Sequence, residues 1–229
     1  MSSNMPLKLY TARTPSGFKV TIMLEELKAA YPEVDYEAIS IDISRNEQKQ
    51  DWYLKLNPNA VIPTLVDCSR EDFIVTESSA ILLYLVQHYD REMKFTFDPV
   101  TEADDYSEML QWIFFVHGGV GPMEGQIFFF KYLSPEKIPY AIDRYVNETK
   151  RLYSVVEIRL KDRDWLAGPG RGKFSVADCN LWAWVRMHGL TVAQTLDEWP
   201  ALKAWSECIL ARPAALAGAN IPPEGNLKY

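Results

Sequence analysis

Cysteine, histidine and long apolar runs are all scarce in this chain of 229 residues. Its three cysteines (Cys68, Cys179 and Cys208) are odd in number and widely spaced, which indicates reduced thiols rather than a disulfide framework. The three histidines lack the spacing of a metal site, so no metal is expected. No apolar run reaches the roughly 18 residues of a membrane span, and no secretory leader pattern is visible. We therefore expect a cytoplasmic protein with no membrane partner.

Positive charge is also in short supply. The 24 lysines and arginines are outnumbered by 31 aspartates and glutamates, which gives a net charge of −7. No basic run offsets this balance, so no nucleic-acid partner is expected. Apolar residues, in contrast, make up 48% of the chain, with seven tryptophans and twelve tyrosines among them. Such a composition is typical of a globular protein with one large domain or two small ones.

Residues 1–90 show strand and helix patterns in turn. The predicted elements, in order, are strand 7–10, helix from Thr14, strand 36–43, short helix 46–56, strands 64–67 and 73–76, and helix 78–89. Thr14 is a typical N-cap, and Pro15 after it fits the first helical position. The order βαβαββα predicts an α/β layered domain.

The rest of the chain shows helical patterns only. Residues 91–99 are charged and aperiodic, so we interpret them as a linker, and residues 100–229 as an all-helical domain. A long helix from about residue 100 to 132 contains the cluster Gly118–Pro122, which predicts a kink or a break. Ser175 and Asp178 have the form of a capping box ahead of an apolar helix.

Two short stretches indicate a ligand site. Pro63 precedes the apolar strand 64–67, as expected for a residue that cannot donate inside a sheet. We expect a cis bond between Ile62 and Pro63, with the backbone polar groups of Ile62 left available to a ligand. Glu77 and Ser78 stand where a strand gives way to a helix, whose free amides favour a carboxylate, while Glu77 suits an amine. Together these residues predict a receptacle for an amino-acid-like or peptide ligand.

These motifs resemble those of the cytosolic glutathione transferases. The resemblance lies in Asn57-Pro-Asn-Ala-Val-Ile-Pro63, Glu77-Ser-Ser-Ala-Ile81 and the Ser175-Val-Ala-Asp178 box, and it covers nearly the whole chain. It implies the glutathione transferase fold, with a thioredoxin-like N-terminal domain and an all-α C-terminal domain.

A closer resemblance is to the fungal class related to the yeast nitrogen-catabolite regulator that can become a prion. It lies in residues 14–20, in Asn59-Ala60 where most transferases carry a glycine, and in residues 112–115, 121–126 and 151–157. The chain has no Asn/Gln-rich N-terminal extension, and the loop between Asp162 and Phe174 is short. Both departures favour an enzyme of detoxification type over the alternative, a non-catalytic glutathione-binding regulator of nitrogen metabolism. An assembly module of the translation machinery is a third reading, disfavoured by the complete peptide pocket.

The resemblance implies glutathione as co-substrate and assigns roles to particular residues. The backbone of Ile62, between Val61 and Pro63, pairs with the cysteinyl part of glutathione. Glu77 and Ser78 hold its γ-glutamyl end. Gln48 or Lys49 reaches its glycyl carboxylate.

Activation of the thiol is assigned to Ser16. The thiolate is the reacting form, and a hydroxyl donor near the positive end of the first helix would lower the thiol pKa. The fungal class more usually carries asparagine at this position, which can also donate. Tyr10 is the alternative, because some transferase classes use a tyrosine near the end of the first strand. No cysteine stands near the helix start, so a mixed disulfide with the protein is not expected.

The second substrate is expected to be a hydrophobic electrophile, a peroxide or a disulfide. By resemblance, its pocket lies between the domains, near Trp112, Phe115 and Gly119. Conjugation, glutathione peroxidase and thiol-transferase activity all stay open. A homodimer is expected from family analogy.

Overall fold

The computed structural model describes residues 6–223, which divide into two compact units. Residues up to Glu92 form the first unit together with those from Arg212 onward, and Met93–Ala211 form the second. Within the described range, no helix combines the length and the apolar character needed to cross a membrane.

The first unit has the predicted βαβαββα order. Its elements are β1 (Leu7–Thr11), α1 (Pro15–Ala30), β2 (Tyr36–Ser40), α2 (Asp51–Leu54), β3 (Thr64–Asp67), β4 (Phe73–Thr76) and α3 (Ser78–Tyr89). The sheet order is β2-β1-β3-β4, with β1 and β2 parallel and the other two pairs antiparallel. This mixed four-stranded sheet confirms the thioredoxin-like fold expected from the sequence.

Strand pairing brings four loops to one edge of the sheet. Thr11 at the end of β1 pairs with Ser40 at the end of β2. Thr64, which begins β3, pairs with Tyr10 of β1 and with Thr76 at the end of β4. The β1–α1 turn, the segment after β2, the loop before β3 and the start of α3 therefore all lie at this edge, which we call the site edge.

A last short helix, α9 (Pro213–Gly218), belongs to the first unit because it packs on α1. A Cβ added to Gly218 would lie 2.5 Å from the Cα of Ile22, so the two backbones are in direct contact. The Thr21 hydroxyl donates to the Gly218 carbonyl at 2.7 Å, and Arg212 forms a two-pronged ion pair with the buried Glu26. From the sequence we assigned these residues to the helical domain, because local patterns give no information on the contact between α9 and α1.

The second unit is helical throughout. Its helices are α4 (Ala103–Phe115), α5 (Gly121–Phe128), α6 (Pro139–Leu160), α7 (Val176–Val185) and α8 (Pro200–Leu210). The predicted capping box at the start of α7 is confirmed, with the Ser175 and Asp178 side chains each accepting from the backbone. Asp178 is fully buried and also accepts from the Leu166 N–H and the Trp205 indole, so this box anchors the core of the unit.

Residues 93–99 also differ from the expected linker. Phe95 and Phe97 are buried, and the Phe95 carbonyl accepts from the Val176 N–H at 3.0 Å. Because the segment is rich in charged residues, its sequence did not predict that Phe95 and Phe97 pack into the helical unit.

The kink or break predicted at the glycine cluster takes the form of a change of helix type. The chain passes from α4 to α5 through a π-helical turn, Val116–Val120. A Cβ on Gly119 would meet the Leu152 side chain at 3.5 Å, and one on Gly121 would meet the Trp184 ring at 3.0 Å. The glycines also allow close packing against α6 and α7.

Candidate functional site

The β1–α1 turn presents Ser16 at the start of a 16-residue helix. Thr14 is the N-cap, as predicted, and its hydroxyl oxygen accepts from the Gly17 N–H at 3.2 Å. Gly17 is required here, because a Cβ would lie 2.1 Å from the Ala12 carbonyl oxygen. Ser16 is half-buried, and neither its N–H nor its hydroxyl has a hydrogen-bond partner within residues 6–223. The turn thus offers two donors at the positive end of α1.

The loop before β3 is held by hydrogen bonds from two buried residues, Tyr53 and Asn57. The Val61 carbonyl accepts from the Tyr53 hydroxyl and from the Asn57 amide, both at 2.9 Å. The bond between Ile62 and Pro63 is cis, which confirms the prediction. In the described part of the chain, the N–H and C=O of Ile62 take part in no hydrogen bond. An extended peptide could pair with them.

Ala60, in the same loop, has a φ of 58°. This left-handed conformation suits glycine, which explains why a glycine is the more usual residue at the position.

Glu77 and Ser78 form the third part of the site edge. Glu77 is exposed and has a φ of 67°, a costly conformation for a residue with a side chain. No side chain caps α3 at this end. The Ser78 N–H, at the start of α3, meets no acceptor among residues 6–223 and is therefore available to an anion, next to a carboxylate that can take an amine.

Lys19 contacts the candidate site and was not predicted from the sequence. Its side chain is only 2% exposed, and its Nζ donates to the Ser78 hydroxyl oxygen at 3.2 Å. Burial lowers the pKa of Lys19 to about 8, and the Glu77 carboxylate opposes that shift. The one signal in the sequence is a lysine between Phe18 and Val20, in a stretch of α1 that is otherwise largely apolar.

Gln48 and Lys49 lie in a single turn, Glu47–Lys49, that follows β2 at the site edge. The Gln48 side-chain oxygen is buried and meets no donor among the described residues. Lys49 is exposed. A buried acceptor without a partner is uncommon in folded proteins, so Gln48 is the more informative of the two.

Tyr10 packs against aromatic side chains of α2. Along β1, Leu7, Leu9 and Thr11 are fully buried, whereas Tyr10 points to the opposite face of the sheet, as strand geometry requires. Its ring centroid is 6.0 Å from that of Trp52 and 6.3 Å from that of Tyr53, both in α2. Tyr10 is therefore part of an aromatic cluster.

The cysteines do not contribute to this edge. Cys68 follows the far end of β3, where its N–H donates to the Pro6 carbonyl at 2.8 Å. Cys179 is buried in α7 and Cys208 is exposed on α8, both in the helical unit. No cluster of His, Cys, Asp or Glu that could hold a metal occurs in residues 6–223.

The three residues predicted for the second substrate lie in the helical unit. Trp112 and Phe115 are half-buried on α4, with ring centroids 5.3 Å apart. The Trp112 ring also lies 5.8 Å from the Arg159 guanidinium. Gly119 lies in the π-helical turn next to Leu152.

A thioredoxin-like unit with a cis-proline loop and an uncapped helix start, together with an all-helical unit, defines the structural class of this chain. Comparison with protein families agrees with this class. Residues 5–87 match the glutathione S-transferase N-terminal domain, and residues 120–213 match the C-terminal domain. The chain belongs to the glutathione S-transferase family.

Individual relatives cover almost the entire chain. The disulfide-bond oxidoreductase YfcG of Escherichia coli is 39% identical over 91% of this chain and 92% of its own length. A glutathione transferase homologue from Lodderomyces elongisporus, solved with two glutathione molecules per subunit, is 37% identical with a TM-score of 0.86, covering 95% of this chain and 99% of that one. The nitrogen regulation fragment of the yeast prion protein Ure2p is 30% identical with a TM-score of 0.85, covering 96% and 98%. The resemblance to the fungal regulator class is confirmed.

Proposed function

We propose that this protein is a cytoplasmic enzyme that binds glutathione at the site edge and uses its thiolate as a nucleophile. The observation that carries the proposal is the convergence of two unpaired backbone groups at Ile62 with the uncapped start of α3 at Glu77 and Ser78. In this proposal, Ile62, flanked by Val61 and Pro63, pairs with the cysteinyl residue. Glu77 takes the γ-glutamyl amine, Ser78 takes its carboxylate, and Gln48 or Lys49 takes the glycyl end.

The thiolate is stabilised in this proposal by the N-terminus of α1. Ser16 supplies its N–H and its hydroxyl, and the partial positive charge of the helix end favours an anion there. Thr14 adds a second hydroxyl, because its oxygen accepts from Gly17 while its proton meets no acceptor among the described residues. Tyr10 has no part in this step, because its ring packs against α2.

Conjugation, peroxide reduction and disulfide exchange are the three candidate reactions, and disulfide exchange has the best support. The relative YfcG is named a disulfide-bond oxidoreductase, and the Lodderomyces homologue was solved with two glutathione molecules per subunit. In the proposed reaction, one glutathione thiolate attacks a sulfur of the disulfide substrate, forms a mixed disulfide and releases one substrate thiolate. A second glutathione thiolate attacks the glutathione sulfur of that intermediate and releases the other substrate thiolate, leaving oxidised glutathione. No protein cysteine is needed.

The remaining parts of the proposal concern the second substrate and assembly. Trp112, Phe115 and Gly119 line the pocket for the apolar part of the electrophile, peroxide or disulfide. A homodimer is supported by the exposed apolar residues of the edge strand β4, where Phe73 and Ile74 are 55% and 37% exposed.

Retention on immobilised glutathione, followed by three activity assays, tests this proposal. The substrates are a chlorodinitrobenzene-type electrophile, cumene hydroperoxide, and the mixed disulfide of glutathione with mercaptoethanol. We expect retention, and the highest turnover with the mixed disulfide. Tight glutathione binding without turnover in any assay would instead support a non-catalytic regulator.

A further inference from the structure

The buried lysine at position 19 calls for a role, because removing an ammonium group from water is costly unless a partner compensates for it. Lys19 lies one turn into α1, and its Nζ reaches across to the first residue of α3. The Glu77 carboxylate interacts with it through its charge. This interaction joins the two helices whose N-termini meet at the site edge.

The contact with Ser78 determines how that hydroxyl is used. An ammonium group has donors only, so the Ser78 oxygen must accept from Lys19. The hydroxyl proton of Ser78 is then directed elsewhere, and no acceptor for it exists among residues 6–223. Ser78 is 7% exposed, so water has little access to this proton. A buried donor without an acceptor, at the positive end of α3, indicates an anionic ligand.

We propose that Lys19 is a positioning residue that makes the site selective for the α-carboxylate of a γ-glutamyl group. It holds the Ser78 hydroxyl in the orientation that donates to this carboxylate. The positive charge of Lys19 also balances the negative charge of the carboxylate across the Ser78 hydroxyl. Glu77 on the exposed side faces the neighbouring ammonium group of the ligand. The inference rests on the proposed glutathione binding and adds the basis of its selectivity.

The experiment compares two ligands on three proteins by isothermal titration calorimetry. The ligands are glutathione and γ-aminobutyryl-cysteinylglycine, which is glutathione without the α-carboxylate of its γ-glutamyl residue. The proteins are the unchanged chain, Lys19→Met, and the control Lys28→Met, which removes an exposed lysine from the same helix. Lys19→Gln provides a polar neutral replacement with the same prediction if the methionine variant fails to fold.

The unchanged protein and Lys28→Met should prefer glutathione over the analogue. Lys19→Met should weaken glutathione binding by about 10- to 100-fold, the size of a hydrogen bond to a charged group, and leave analogue binding unchanged. Lys19→Arg should retain part of the preference. Equal weakening of both ligands, or no weakening of either, would overturn the role of Lys19 while leaving glutathione binding intact. An unchanged protein that binds neither ligand would contradict the proposed function itself.

Discussion

We expect the stability of the protein to depend on pH through one buried side chain, Glu124. It lies on α5, is fully buried, and accepts from the Tyr153 hydroxyl and the Thr191 hydroxyl, both at 2.8 Å. Burial raises the pKa of Glu124 from 4.5 to about 8, although the two hydroxyl donors oppose the shift. Between these values the folded protein keeps a proton that the unfolded chain has lost.

The sign and size of the effect follow from this difference. Below pH 4.5 the carboxyl is protonated in both states and contributes nothing to the pH dependence. As pH rises from there to about 8, the free energy of unfolding falls by about 1.4 kcal/mol per pH unit. At pH 7 the accumulated loss is about 3 kcal/mol. Glu124→Gln mimics the protonated acid and removes this pH-dependent loss of stability.

Urea unfolding of the unchanged protein and of Glu124→Gln, measured between pH 5 and pH 8 at one protein concentration, checks the prediction. Other titrating groups are common to both proteins, so the difference between their free energies isolates Glu124. From pH 5 to pH 8, the free energy of unfolding of the variant should rise by about 3 kcal/mol relative to that of the unchanged protein. A difference that stays constant across the range would refute the reasoning.

Three further substitutions test the packing. Gly218→Ala should cost about 3 kcal/mol of stability because its Cβ would overlap the backbone of Ile22, whereas Gly189→Ala, in open space, should cost less than about 0.5 kcal/mol in the same thermal unfolding assay. Ala60→Gly should stabilise the protein by about 0.5 kcal/mol by relieving the left-handed φ, and an unchanged or lower midpoint would contradict this. Asp178→Ala should cost about 3 kcal/mol in urea unfolding, because it leaves buried donors without an acceptor; a loss under about 1 kcal/mol would be too small for that role.

The features that the sequence predicted well are those encoded over short distances. The βαβαββα order follows from alternation and helical period, and the N-cap at Thr14 and the box at Ser175 follow from residues three positions apart or fewer. The cis bond at Pro63 was predicted because proline alone makes that isomer accessible.

The features that the sequence did not predict depend on contacts between distant segments. The need for glycine at position 218 follows only from the packing of α9 on α1, where a Cβ would lie 2.5 Å from the Cα of Ile22. The packing role of the glycines at 119 and 121 depends on side chains of α6 and α7, which fill the space beside them. The role of Lys19 depends on its contact with Ser78, which lies 59 residues further along the chain.

Activation of the glutathione thiol at the start of α1 can be measured by following the ultraviolet absorbance of the bound thiolate as pH is varied. We expect the pKa of the bound thiol to lie at least about one unit below that of free glutathione. Ser16→Ala should raise it toward the free value, and Tyr10→Phe should leave it unchanged. A bound thiol with the pKa of free glutathione, or one that only Tyr10→Phe raises, would contradict the assignment of Ser16 and the N-terminus of α1 as the activating group.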